Sequence, residues 1–279
     1  MISYSYDLRF AGMLFRILAP RPLCLPENLR HFLNDEATND SPDWVVEVIF
    51  GTGNVVFTEQ DSVTRFHWKD DEYFWRIVPA GGEATCRLFV PEGIADQFVI
   101  NANWMLFLMP ERLLLPFGRI ILHSSAVIHE GGAILFTAPS GTGKSTQASL
   151  WETYAHAEII NGDKVIVSAS DGVPVAYGGP IAGTSRIYKD AQAPIRAIVY
   201  LHQGAENQLT LLDRRHAFMA LYSQAVKSGE DAAFNEALIP LIAKIVERVP
   251  VADYSCQPNA SAVEYLQSRL NSIPSDKLK

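Results

Sequence analysis

One stretch, AILFTAPSGTGKST at residues 133–146, constrains the fold more than any other part of this 279-residue chain. AILFT (133–137) predicts a strand, and helical spacing begins at Lys144, with Ala148, Trp151 and Tyr154 on one stripe. Between strand and helix lies a turn of small residues. Such a turn lets successive backbone N–H groups face an anion without Cβ clashes, and the helix behind it adds the positive end of its dipole. APSGTGKS fits the pattern G-x-x-x-x-G-K-[ST] except that Ala138 stands at the first glycine. The expectation is that Ser140, Gly141, Thr142, Gly143, Lys144, Ser145 and Thr146 hold a nucleoside triphosphate, ATP or another. Lys144 would reach the β- and γ-phosphates and the Ser145 hydroxyl would ligate Mg²⁺. A ligand-free glycine turn would leave Gly-Lys-Ser-Thr at a helix start unexplained.

A magnesium site needs a carboxylate near that turn, in such proteins at the end of an apolar strand. IINGD supplies Asp163 just past Ile159 and Ile160, as metal ligand or base; the bland alternative is an Asp in an Asn-Gly-Asp turn. His123 ends the apolar run RIIL one strand before the turn. If the two strands pair, its imidazole lies near the phosphates, to stabilise charge or shuttle a proton. A histidine beside Ser124-Ser125 can equally be structural.

The remaining chain reads in two parts, divided near residue 115. Up to about 92, strand signals dominate: WVVEVIF (44–50) and NVVFTE (54–59) around GTG, VTRFHW (63–68) and EYFWRIV (72–78) around KDD, then TCRLFV (85–90). An aromatic-rich antiparallel sheet is expected, its aromatics packed inward. Residues 95–115 read as helical, punctuated by Pro110 and Pro116. Beyond them come RIILHSSAVIH (119–129), a Gly131-Gly132 turn, and strands at 157–162 and 164–169, with a hairpin through Asp171-Gly172. IRAIVYLHQ and NQLTLL are expected to pair around GAE, and Asp213 to cap a helix carrying Phe218, Leu221, Tyr222 and Ala225. A helix through Phe234, Leu238, Leu241 and Ile245, bent at Pro240, a strand VADYSC and a last helix follow, before a frayed SIPSDKLK.

Composition narrows the function classes. With 31 acidic and 23 basic residues the net charge is −8, which offers no electrostatic footprint for nucleic acid or anionic lipid. Cys24, Cys86 and Cys256 are odd in number and share no CxxC spacing, arguing against a disulfide framework or zinc site. The start MISYSYDLRFAG has no signal-peptide pattern, and the most apolar segment (98–122) is broken by Asn, Pro, Glu and Arg. A cytoplasmic location with no membrane partner is expected. Oligomeric state is not written in the sequence.

Taken together, HSSAV, APSGTGKST and INGDK (123–164) resemble the catalytic domain of HPr kinase/phosphorylase, and more closely the HPr-kinase-related lasso-peptide kinases. YSYDLRFAGMLFRI, PIAGTS and VPVADYSCQPNASAVEYL share the flavour of that group. The resemblance implies an α/β fold: a P-loop-containing phosphoenolpyruvate carboxykinase/HPr-kinase-like mixed-sheet domain (116–279) preceded by a small β-rich domain (1–115). It implies phosphoryl transfer from ATP with Mg²⁺ to a hydroxyl, Ser or Thr of a peptide or small protein. Lys144, Asp163 and His123 would be catalytic, Ser145 and Asp163 metal ligands, and Arg186 a substrate or outer-phosphate contact, unless it is only a solvent-facing loop arginine. The family has two adjacent aspartates where this chain has Gly162-Asp163. That departure keeps open a non-catalytic nucleotide sensor or assembly module, and a small-molecule kinase on the same scaffold.

Overall fold

A computed structural model describes residues 4–34, 40–51, 55–68, 72–80, 84–100, 104–169, 172–181, 183–229 and 231–272. The chain divides into two compact units, Met1–Leu113 and Leu114–Lys279. The turn residues Thr52-Gly53 and 69–71, together with Asp171 and 273–279, lie outside the described residues.

In the first unit, strands β1 (Tyr4–Phe10), β2 (Met13–Ala19), β3 (Trp44–Phe50), β4 (Ser62–His67), β5 (Tyr73–Val78) and β6 (Thr85–Val90) form one sheet in the order β1-β2-β3-β6-β5-β4. The sheet is mixed, not antiparallel, because β2, β3 and β6 run parallel. Of NVVFTE, the described residues 55–59 form no strand. Both edges of β3 are taken by β2 and β6, leaving no place for a hairpin return, and Val56 and Phe57 are exposed. Short helices Ala95–Val99 and Trp104–Phe107 bring Phe98 and Phe107 onto Phe74, whose ring also stacks on Phe66 at 4.8 Å. Trp68 meets Phe74, Phe98 and Phe107 edge-on or tilted, so these aromatics form a core cluster.

The second unit is a mixed sheet between helices. Its strands are β7 (Arg119–His129), β8 (Gly132–Thr137), β9 (Glu158–Asn161), β10 (Lys164–Ser168), β11 (Val175–Tyr177), β12 (Gln192–Gln203), β13 (Gln208–Leu211) and β14 (Val251–Cys256). The order is β11-β10-β7-β8-β12-β14-β13, with β9 also on β7. The β7–β8 hairpin turns on Glu130-Gly131, one residue earlier than expected; both have positive φ, as a two-residue turn matched to strand twist requires. β12 and β13 do not pair with each other. β14 inserts between them, parallel to β12 and antiparallel to β13.

Helices α1 (Lys144–Ala155) and α4 (Ala260–Asn271) cover one face, and α2 (Arg214–Gln224) and α3 (Ala232–Arg248) the other. Along β8, Ala133 and Leu135 face α2 and α3, while Ile134 and Phe136 face α1 and α4. Burial on both faces is why the strand reads as an unbroken apolar run. Tyr154 leaves the expected stripe and is exposed; Ala155 continues the face begun by Ala148 and Trp151. Asp213 caps α2 through the His216 amide, as its position predicts. Among the described residues no helix is long and apolar enough to cross a membrane.

Candidate functional site

The turn that leaves β8 is built to expose amides. Gly141 and Gly143 hold φ of +82° and +118°, values that side chains with a Cβ rarely adopt. The Thr142 hydroxyl donates to the Pro139 carbonyl at 2.9 Å, closing the turn, while Ser140, Gly141, Ser145 and Thr146 stay exposed. Gly143 is the residue from which α1 starts, and no side chain caps its first amides. Those amides and the helix dipole point to an anion.

Lys144 is only 7 % exposed, and its ammonium donates to the Ala138 and Pro139 carbonyls at 2.9 and 3.2 Å. Two of its three protons are therefore held by the turn, which leaves one for an oxygen lying on it. Burial lowers its pKa, and Asp163 opposes that shift. The Ser125 hydroxyl donates to the Lys144 carbonyl at 2.8 Å, locking the helix start to β7.

Asp163 sits in the break between β9 and β10, two strands that continue one another along β7. Buried Asn161 shapes that break. Its Oδ1 accepts from the amides of Asp163 and Lys164, both at 2.9 Å, and its Nδ2 donates to Ile181 O at 2.8 Å. Register then sets Lys164 opposite His123. The Asp163 carboxylate stands between them, 3.1 Å from Lys164 Nζ and 3.4 Å from His123 Nδ1. Ser145 Oγ donates to Gly162 O at 3.3 Å, joining the helix start to the same break.

The structure thus gathers Lys144, Ser145, His123 and Asp163. It adds Lys164, which the sequence reading missed; the available signal was a lysine directly after Asp163 at the head of an apolar strand. Burial, then Lys144, lower the His123 pKa; Asp163 works against them and Lys164 with them. Those shifts push the imidazole toward its neutral form, which equips it to accept or pass a proton more than to add positive charge. Arg186 is exposed, with φ of +51°, and among the described residues no hydrogen bond or ion pair ties it to Lys144, Asp163 or His123.

Gly162 has a steric reason. A Cβ there would overlap the Ser185 side chain, coming within 2.5 Å of Ser185 Cβ. Gly183 likewise presses its backbone on the Asp163 carboxylate. The segment Gly183–Ser185 therefore packs into the space a second carboxylate would need.

No group of three or more His, Cys, Asp or Glu residues converges as a metal site among the described residues. A magnesium ion would be held by the Ser145 hydroxyl, the Asp163 carboxylate and phosphate oxygens. That hard-oxygen set with one carboxylate suits this ion.

No family model and no curated protein matches the chain. Among solved structures, the Hpr(Ser) kinase/phosphatase from Coxiella burnetii is similar over 54% of this chain and 92% of that one, at 9% identity and a TM-score of 0.31.

Proposed function

We propose that the second unit is an ATP-dependent phosphotransferase that moves the terminal phosphoryl group to a hydroxyl, Ser or Thr of a peptide or small protein. The observation that carries this reading is the buried Lys144 ammonium, set among exposed amides at a helix start and facing a carboxylate flanked by Lys164 and His123. Phosphoryl transfer needs positioning and charge neutralisation more than covalent help. Lys144 and the turn amides bind the β/γ end, Lys164 adds a second cation, and Asp163 orients the acceptor hydroxyl and takes its proton, with His123 as relay. Magnesium, when bound, neutralises charge on the phosphate oxygens.

A second reading has its own observation. Ser185 fills the space beside Gly162, so a single carboxylate remains, which fits a nucleotide-binding sensor without transfer. Incubation with γ-labelled ATP, Mg²⁺ and a Ser/Thr peptide library separates the two. The kinase reading expects label on hydroxyls, reduced ~100-fold or more in Asp163→Asn with nucleotide binding retained. Binding with no label in any offered hydroxyl would favour the sensor.

A further inference from the structure

A later segment of the chain returns to the break between β9 and β10 and is fastened there on both sides of a short turn. Before the turn, Asn161 Nδ2 donates to Gly179 O at 3.4 Å and to Ile181 O at 2.8 Å. After it, Tyr188 bridges Asn161 in antiparallel fashion, and the Lys189 amide donates to Ile160 O at 3.2 Å. The turn itself, Gly183–Ser185, is thereby pinned to the stretch that carries Asp163. Gly183 and Arg186, on either side of it, take φ of +52° and +51°. For an arginine that conformation costs roughly 1–3 kcal/mol and persists only where the surroundings dictate it.

Pinning brings a hydroxyl to the site. Gly183 lies against Asp163, so close that a Cβ on it would come within 2.5 Å of the carboxylate Oδ2. Ser185 Oγ lies where a Cβ on Gly162 would stand. Ser145 Oγ donates to the carbonyl of the same glycine at 3.3 Å. Gly162 therefore adjoins two hydroxyls, Ser145 at the phosphate turn and Ser185 in the pinned turn, and Asp163 is the next residue. The Ile187 amide donates to Ser185 Oγ at 3.4 Å, which is long for such a bond. Closing its own turn accounts for that contact and not for the packing of Ser185 on Gly162.

Resting on the phosphotransferase reading above, we propose that Ser185 is a phosphorylation site that the chain modifies itself, the γ-phosphoryl group of bound Mg·ATP passing to Ser185 Oγ within one molecule. The bond between the γ-phosphorus and the bridging oxygen breaks, the bond to Ser185 Oγ forms, and ADP leaves. The hydroxyl proton goes to the Asp163 carboxylate. A hydroxyl carried by the same fold competes with any dissolved acceptor at a high effective molarity. Contacts between base and hydroxyl commonly tighten only once the nucleotide is bound.

The test is incubation of the full chain with γ-labelled ATP and Mg²⁺, with and without a Ser/Thr peptide library, followed by mass-spectrometric localisation of the phosphate. Wild type should carry phosphate on Ser185, at a fractional rate unchanged when the chain is diluted. That rate should fall ~100-fold or more in Asp163→Asn. Ser185→Ala should lose the label, and because it keeps the Cβ that packs on Gly162, the loss reads the hydroxyl and not the fold. Phosphate on other residues of the chain only, a Ser185 rate that rises with chain concentration, or an undiminished rate in Asp163→Asn overturns the inference. Label on peptides with none on Ser185 overturns it while the phosphotransferase reading stands. Label on neither overturns that reading, and this inference with it.

Discussion

Two buried cations, one in each unit, look alike by burial and differ in everything around them. Arg76 on β5 is 1 % exposed; its Nε donates to Leu108 O at 2.7 Å, and one terminal nitrogen has no hydrogen-bond partner among the described residues. Its neighbour Cys86 is buried enough that its thiol is pushed up to about 11. Lys144 also rests on carbonyl oxygens. Around it, however, are exposed amides, positive-φ glycines and a carboxylate in reach of two further basic groups. Burial of a charge is therefore no mark of a site. Its mark is a charge aimed at open space that oriented dipoles also face.

The comparison breaks most readily at Lys144. Lys144→Ala should lose Mg·ATP affinity by about 10- to 150-fold, as expected for one charge-assisted hydrogen bond worth roughly 1.5–3 kcal/mol. Arg76→Ala should leave that affinity unchanged in the same titration. Its cost should appear in denaturant unfolding, about 3 kcal/mol from the cavity and the stranded Leu108 carbonyl. Equal effects of the two variants on ATP binding would erase the distinction.

A smaller effect tests the crowded break at Gly162. Gly162→Ala should cost about 1–3 kcal/mol, as overpacking does. Ser185→Gly in the same chain should recover much of it, whereas Ser185→Ala should not, because Ser185 Cβ itself is in the way. Additive losses in that double-mutant series would show that Ser185 does not set the glycine requirement.

The smallest effect is a pH slope. His123 is depressed below its ordinary 6.5 in the folded chain, so the unfolded chain binds more protons between the depressed value and 6.5. Stability must then rise with pH through that window and be lost as pH falls through it. His123→Gln should flatten this slope in urea unfolding followed from pH 7 down to 5. An unchanged slope would place the depressed group elsewhere.

What the sequence made legible was local. The strand, the glycine turn and the start of α1 are neighbours in the chain, and their spacing alone is diagnostic. The Asp213 cap was readable for the same reason. Pairings that depend on distant residues were not. β12 and β13 are adjacent in sequence, yet β14, arriving some forty residues after β13, takes the place between them. In the first unit, β3 pairs in parallel with β6 instead of folding back on its own successor. The site divides the same way. Lys144 and Ser145 follow from a motif, whereas the role of Lys164 follows from β7–β10 register, and the lowered pKa of His123 from its burial first and then from the two lysines brought beside it by the phosphate turn and that register.

The central claim is that backbone amides from Gly141 to Ser145, with one buried ammonium, cradle a polyphosphate. Amide chemical shifts measured as Mg·ATP is added report on those groups directly. The account predicts saturable shifts concentrated at Gly141, Gly143, Lys144 and Ser145 that vanish in Lys144→Ala. Shifts centred elsewhere, or equal in the variant, would contradict it.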